Sequence, residues 1–122
     1  MTTHGGDVPD FMLLIVYDPS APADGSPSKQ PEHAALEQEM RARGDYRGGG
    51  GLAPVEAYVR RVRQQAGRSV VLDGPFAETK EALGGYFIVN CSEAEALAYA
   101  ARVPVDSRSW FEVRRLGIHR PL

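Results

Sequence analysis

The sequence has 122 residues, a formal net charge of -2 and a hydrophobic content of 43%. This length is typical of one domain that buries most of its apolar surface without disulfides, and the composition is that of an ordinary soluble globular protein. There is no excess of positive charge to bind phosphate backbones, so we expect no nucleic-acid binding. The longest apolar run, Phe11 to Tyr17, is too short for a membrane helix and follows no basic segment. Together with a single cysteine, Cys91, which fits a reducing compartment, this predicts a cytoplasmic protein that does not bind membranes.

The N-terminal part is predicted to hold a tail, a strand and a long loop. Residues 1–10 are polar and show neither a helical nor a strand period, so we expect a flexible tail, with residues 11–122 as a single domain. The apolar run Phe11–Tyr17 ends at Asp18-Pro19 and predicts a central strand covered on at least one face by helices. Residues 18–30, rich in Pro, Ser and Ala, are predicted to be an irregular loop, either functional or a disordered insertion.

A first helix is predicted over residues 31–43. Pro31 suits its first turn, and Leu36 and Met40 lie on one stripe with His33. His33 is therefore expected in the first turn, on or beside the face turned toward the sheet, where the helix dipole favours the neutral ring. A neutral imidazole is a usable base, whereas the alternative is a histidine that only packs at the rim of the core.

The sequence patterns of residues 48–51 and 52–67 do not indicate their structure directly. Gly48–Gly51 lacks the Gly-Lys-Ser/Thr and the strand-loop-helix context of a phosphate-binding loop, so it is predicted to be a flexible connection. Residues 52–67 contain an i, i+3, i+4, i+7 set of apolar side chains, which on periodicity alone predicts an amphipathic helix. These side chains are Val55, Tyr58, Val59 and Val62.

A restricted turn joins two predicted strands, residues 69–72 and 86–89. Asp73 can hydrogen-bond its own backbone, Gly74 can adopt a positive φ, and Pro75 fixes φ. The turn places the Asp73 carboxylate at a strand terminus, from which it can be aimed into a cleft. The alternative is that Asp73 does no more than form the turn.

The C-terminal part is predicted to hold a helical turn, a second helix and a last strand. Residues 78–82 fit one helical turn, and the capping box Ser92-Glu93-Ala94-Glu95 predicts a helix that ends near Val103. Cys91 precedes this helix without a nearby histidine to act as its base, so we interpret it as structural. Polar and apolar side chains alternate over residues 110–118, which predicts a last strand. The buried stripe of the helix is predicted to be Ala94, Leu97, Ala98 and Ala101.

Several of these stretches resemble one family. They are Asp73-Gly74-Pro75-Phe76 followed by Glu78-Thr79-Lys80-Glu81 and Leu83-Gly84-Gly85-Tyr86, then Phe11–Ile15 near the start, and Ala94–Pro104 with Glu112-Val113-Arg114 near the end. Together they resemble the DGPF-domain proteins, a branch of the YCII-related family. The resemblance implies a ferredoxin-like fold, a dimeric α/β barrel and, for some relatives, lyase or isomerase-type chemistry on small molecules with a His and an Asp.

The resemblance also bears on two ambiguous segments. In DGPF proteins the stretch that corresponds to residues 57–63 is a strand that turns back through Gly67 into residues 69–72, and β-branched valines fit this. We therefore predict a strand there rather than a helix. Among YCII-related proteins a histidine before the first leucine of helix one recurs in the proposed active site, and Glu32-His33-Ala34-Ala35-Leu36 resembles that pattern.

The predicted elements follow the order βαββαβ. This is the α+β ferredoxin-like fold, in which two helices cover one face of an antiparallel sheet. Large apolar faces are not left in water, so a second copy is expected to pack on the other face. The sequence therefore predicts a homodimer with a cavity between or beside the protomers. A ligand would lie near the strand ends and the first turn of helix one, where His33 and Asp73 would meet.

Two functions are consistent with these features. The first is an enzyme that acts on a small anionic or cyclic molecule, with His33 as general base or acid and Asp73 as its partner carboxylate. Tyr17, Tyr86 and Arg60 are the predicted substrate-binding residues, although the arginines of the 57–72 hairpin also suit a solvated sheet edge. The second is a non-catalytic ligand-binding or regulatory module, because relatives in this family are often associated with extracytoplasmic-function sigma factors.

No cofactor or metal is predicted. The three histidines, His4, His33 and His119, have no spacing typical of metal ligands, and no motif of a redox cofactor is present.

Overall fold

The structure, a computed structural model, describes residues 8–54, 59–74, 81–103 and 105–118. Its elements in chain order are β1 (Asp10–Tyr17), α1 (Gln30–Ala42), β2 (Tyr46–Gly51), β3 (Arg60–Gln65), β4 (Arg68–Asp73), β5 (Ala82–Asn90), α2 (Glu93–Arg102) and β6 (Ser109–Arg115). The predicted tail up to residue 7, the turn residues 75–80 and the C-terminal residues 119–122 lie outside the described residues.

Four strands form an antiparallel sheet in the order β2-β5-β1-β6. The apolar strand β1 lies between β5 and β6, as its sequence predicts, and Leu13 pairs with Phe87 on one side and Val113 on the other. With α1 and α2 added, β1, β2, β5 and β6 give the βαββαβ arrangement. The predicted α+β ferredoxin-like class is therefore confirmed.

Both helices pack on the same face of this sheet. The core lies between the helices and this face of the sheet. It includes Phe11, Leu13, Leu36, Met40, Phe87, Val89, Ala96 and Tyr99, with Phe111 and Val113 partly buried against them. Since successive residues of a strand point to opposite faces, the helix-free face carries the residues in between. These include Met12, Leu14, Tyr86, Ile88, Trp110 and Glu112.

Helix α2 begins with the predicted capping box. The Ser92 hydroxyl accepts a hydrogen bond from the Glu95 amide, and the Glu95 carboxylate accepts one from the Ser92 amide. The predicted buried stripe is wrong, because Leu97 is 51% exposed and the buried side chains of α2 are Ala96 and Tyr99. This rotation buries an aromatic ring in place of a leucine and small alanines, and it gives the tyrosine hydroxyl a partner. None of the described helices is long and apolar enough to cross a membrane.

A buried hydrogen bond connects the end of α1 with α2. The Tyr99 hydroxyl donates to Oδ2 of Asp45, 2.7 Å away, and both residues are almost fully buried. The backbone of Asp45 also bonds in both directions, to Met40 of α1 and Asn90 of β5. Burial raises the pKa of Tyr99, so its phenol stays a neutral donor. On the surface, Arg102 and Glu39 form a two-pronged ion pair between the same helices.

The four glycines 48–51 do not form a flexible connection, and that prediction is wrong. They belong to β2, which pairs with β5 so that Gly49 lies opposite Phe87 and Gly51 opposite Gly85. Strand pairing uses backbone groups alone, and the missing side chains allow a close approach. A Cβ placed on Gly85 would lie 2.8 Å from the Gly50 carbonyl oxygen, and one on Gly49 would lie 3.0 Å from the Tyr86 carbonyl oxygen.

Strands β3 and β4 form a separate two-stranded sheet. The predicted strand over residues 57–63 is confirmed for residues 60–63, and β3 continues to Gln65, whereas residues 55–58 lie outside the described part of the chain. The hairpin is inserted between β2 and β5, so the second strand of the ferredoxin-like sheet is β2 rather than the predicted 57–63 segment. Ala82 already belongs to β5, which removes the last residue of the predicted helical turn.

We expect Gly85→Ala to lower the free energy of unfolding by about 1–3 kcal/mol, as overpacking does, because the new methyl group meets backbone atoms that cannot rotate away. Gly51→Ala is the matched control, since a Cβ there would reach the nearest atom, the Gly84 carbonyl oxygen, at an ordinary 4.0 Å. Urea denaturation followed by circular dichroism measures both. Equal stability of the two variants would show that the strands do not need this close approach.

Candidate functional site

A cavity of about 300 Å³ lies between the first half of α1 and the glycine-rich ends of β2 and β5. From α1 it is lined by Gln30, His33, Ala34 and Glu37, from the sheet by Ile15, Tyr86 and Phe87, and along its floor by Gly49, Gly50, Gly51, Gly84 and Gly85. Five glycines in the lining leave room above the strands, because no side chain rises from them. The same absence leaves peptide groups at the cavity surface.

His33 is positioned by the start of α1 and by the core beneath it. Its backbone amide bonds the Lys29 carbonyl oxygen at 2.9 Å, which sets the first helical turn. Its ring meets Phe87 edge to face, with ring centroids 6.3 Å apart. The imidazole is thus half-buried above the sheet, and Leu36 and Met40 follow it on the buried stripe of α1, as predicted.

A second cavity, of about 240 Å³, adjoins the first. Ile15 and His33 line both. The other lining residues come from the loop before α1 and the chain before β6, namely Ser26, Pro27, Ser28, Lys29, Val105, Asp106 and Ser109. His33 therefore lies in the wall that the two cavities share.

The loop before α1 is held in place where it borders the smaller cavity. Asp24 accepts hydrogen bonds from the amide and hydroxyl of Ser26 and, across the chain, from the amide of Ser107. The Ser26 hydroxyl is the largest of these influences, and together they lower the pKa of Asp24 to about 2. The 18–30 loop is thus an ordered wall of the site over the residues that line the cavity.

Asp73 does not belong to the described lining of either cavity beside His33. Asp73 ends β4 with a side chain that is 79% exposed, and its Oδ1 lies 3.2 Å from Nε of Arg60, which pairs with it across the hairpin. Among the described residues, neither Asp73 nor Arg60 lines either cavity. Their predicted catalytic and substrate-binding roles therefore stay predictions.

The two predicted substrate-binding tyrosines differ in their surroundings. Tyr86 is one of the residues that line the larger cavity. Tyr17 is buried at the end of β1, with the Arg108 guanidinium 4.9 Å above its ring, and it lies outside the described linings of both cavities. Of the pair, Tyr86 is the one in the cavity lining, and its register places its side chain on the helix-free face of the sheet.

Comparison with known proteins supports the relationship that the sequence suggests. The profile of the YCII-related domain matches residues 10–117. The chain belongs to the YCII-related family. An uncharacterised protein of Rhizobium meliloti (strain 1021) is 33% identical over 102 residues, which cover 77% of this chain and 82% of the relative. The cavities therefore lie inside the part of the chain that defines the family.

Sequence reasoning missed several residues of the site in this YCII-related protein. Glu37 follows His33 by four positions, so the two side chains lie on the same face of α1 and line one cavity. This spacing was visible in the sequence and is the signal that could have found Glu37. No comparable signal marks the glycines 49–51 as a cavity floor, since that role depends on how β2 pairs with β5.

Two other kinds of reactive site, a nucleophilic cysteine and a metal centre, were also considered for the described residues. Cys91 is fully buried, and burial raises its thiol pKa to about 12, which fits its predicted structural role. Within the described ranges, no group of three His, Cys, Asp or Glu side chains is arranged to hold a metal ion.

The Asp24 hydrogen bonds should break in acid. Since the folded pKa of about 2 lies below the ordinary 3.8, the stabilising contribution is fully present above about pH 3.8 and is lost as the pH falls through about 2. We expect the amide resonance of Ser107 to titrate with this midpoint and to lose the titration in Asp24→Asn. The amide of Ser20, which bonds Asp18, is the control and should behave alike in both proteins. A Ser107 midpoint near 3.8 would contradict the contact.

Proposed function

We propose that this YCII-related protein binds a small cyclic or carbonyl-containing molecule in the cavity beside His33, and that His33 transfers a proton to or from it. The observation that carries the proposal is the position of His33 in the wall shared by two adjoining cavities. We further propose that the protein works in the cytoplasm as a homodimer, with the helix-free faces of the sheets toward one another.

The binding part of the proposal is supported by the lining of the larger cavity. Ile15 and Phe87 supply apolar surface, and a side-chain-free floor lets a flat ring lie close to the strands. Peptide groups of the glycines offer donors and acceptors at fixed positions. Ligand sites are commonly apolar clefts with a few placed polar groups, and this lining has that character.

The catalytic part of the proposal is supported by the chemistry of the side chains. A histidine can both accept and donate a proton near neutral pH, and Glu37 on the same helix face supplies a carboxylate in the same cavity. This combination suits proton transfer next to a carbonyl group, as in isomerase or lyase-type reactions. Asp73 remains a candidate partner of His33 in the assembled dimer, as the sequence predicts, with Arg60 beside it to bind an anionic substrate.

Filling the larger cavity should weaken binding. Ala34 lines it, and we expect Ala34→Leu to weaken binding of phenolic and lactone acids, with 4-hydroxybenzoate as the first probe, by about tenfold or more through steric overlap. Ala35→Leu is the matched control, because the next residue of α1 is exposed and belongs to neither cavity lining. Two-dimensional NMR of the amides of Gly49, Gly50 and Gly51 measures binding. Equal affinities in the two variants would reject this cavity as the site.

Replacing His33 separates catalysis from binding. For any compound that binds and is converted, we expect His33→Gln to lower kcat by about 10²–10⁴-fold, the usual contribution of a general acid or base, while the dissociation constant changes little. Asp73→Asn in parallel tests the partner role. A lowered kcat at unchanged affinity would support that role, and an unchanged kcat would reject it.

A binding module without catalysis is the competing function. It would show the same NMR shifts at the glycine floor and the same effect of Ala34→Leu, but no conversion of bound compounds in wild type. Incubation of saturated protein with each bound compound, followed by chromatography, decides between the two functions.

A further inference from the structure

The smaller cavity beside His33 differs from the larger one in its charged groups. Among the residues described as lining the two cavities, Lys29 is the only lysine or arginine, and it belongs to the smaller cavity. The larger cavity is lined instead by Glu37, whose carboxylate lies 2.9 Å from Nε of Arg41. Since like charges repel, a negatively charged group of a ligand is better placed in the smaller cavity than in the larger one.

The ammonium group of Lys29 is available to a ligand. Within the described ranges, the Lys29 side chain makes no hydrogen bond and no ion pair. The Asp24 carboxylate is close enough to feel the charge of Lys29, yet its hydrogen bonds come from Ser26 and Ser107. The three donors of the ammonium therefore remain for a molecule in the cavity, and the flexible four-carbon side chain lets them follow it.

The neighbouring residue, Ser28, supplies a second donor. Its hydroxyl oxygen accepts a hydrogen bond from the Gln30 amide at 3.2 Å, which leaves the hydroxyl proton for another acceptor. The hydroxyls of the other two serines in the lining, Ser26 and Ser109, donate to carboxylates 2.6 Å away. Lys29 and Ser28 are thus the two side chains of this lining that can donate to an anion.

Asp106, the acid in the lining of the smaller cavity, already has partners. Its Oδ2 lies 3.3 Å from Nε of Arg108, and its Oδ1 accepts hydrogen bonds from the Ser109 hydroxyl and the Arg108 amide. The Arg108 guanidinium therefore offsets the negative charge of Asp106. Lys29 has no such partner among the described residues, so the charges at this cavity favour an anion.

We propose that the smaller cavity binds the carboxylate of a cyclic acid whose ring lies in the larger cavity. The donors are Nζ of Lys29 and the hydroxyl of Ser28, and His33, in the shared wall, lies beside the bond that joins the ring to the carboxylate. One ammonium and one hydroxyl suit a single negative charge, so a carboxylate fits better than a phosphate dianion. This inference rests on the proposed function and narrows its ligand to a cyclic monocarboxylate.

A matched pair of compounds tests the role of Lys29. 4-Hydroxybenzoate and 4-hydroxybenzamide have the same ring and nearly the same shape, but only the first is charged. We expect wild type to bind the acid about tenfold more tightly than the amide, the scale of a hydrogen bond to a charged group, as measured by NMR at the amides of residues 49–51. Lys29→Met should weaken binding of the acid alone, whereas Lys29→Arg keeps the charge and the preference. Arg115→Met removes the same charge from an exposed residue of neither lining and should change nothing.

A titration with acetate separates this inference from the proposed function. Acetate carries the charge without a ring, and the amides of Ser28 and Ser109 report on the smaller cavity. We expect acetate to shift these resonances in wild type and not in Lys29→Met. If the acetate response appears while the glycine amides respond to neither aromatic compound, the ring site is rejected and the anion site is supported. Equal affinities of wild type for the acid and the amide at the glycine floor, no acetate response in wild type, or one that survives Lys29→Met would each overturn the inference.

Discussion

The close approach of β2 to β5 is the constraint on which the rest of the structure depends. At Gly49 and Gly85 the two backbones leave no room for a Cβ, so this pairing exists only where both strands are rich in glycine. It adds β2 as an edge strand of the four-stranded sheet and covers the core below α1. It also leaves the floor of the cavity without side chains. A side chain at these positions would fill the cavity or push the edge strand away, and either change would remove the candidate site.

The position of α1 on the sheet involves a buried polar contact as well as apolar packing. Asp45 follows α1 and holds Tyr99 of α2, Met40 of α1 and Asn90 of β5 through hydrogen bonds. A buried carboxylate is costly without a partner, and the Tyr99 hydroxyl supplies one to Oδ2. The bonds to Met40 and Asn90 are made by the Asp45 backbone. The contact thus joins the C-terminal end of α1, the helix that carries His33 in its first turn, to β5 and α2.

The sequence was most informative where a local pattern has one physical solution. The apolar run of β1 and the Ser92 capping box predicted their elements, and His33 was placed in the first turn of α1 beside the sheet. The glycines 48–51 were misjudged because a strand built on backbone approach has no side-chain period. Tyr99 was missed because its burial depends on Asp45, more than fifty residues away in the chain. The separate β3-β4 sheet, which ends in Asp73, was equally beyond local patterns, since strand pairing in space is not written in a local period.

The end of β2 lines the site, and the β3-β4 hairpin is the next part of the chain. The hairpin leaves the sheet where β2 ends, and there the Leu52 amide bonds the Gly84 carbonyl oxygen at 2.9 Å. Gly51 and Gly84, next to this bond, line the cavity beside His33. The end of β2 is thus held to β5 at the cavity floor, and because glycines carry no side chains, backbone pairing alone holds the two strands together there. The shape of the cavity beside His33 therefore depends on backbone hydrogen bonds between β2 and β5 more than on packing of side chains at these strand ends.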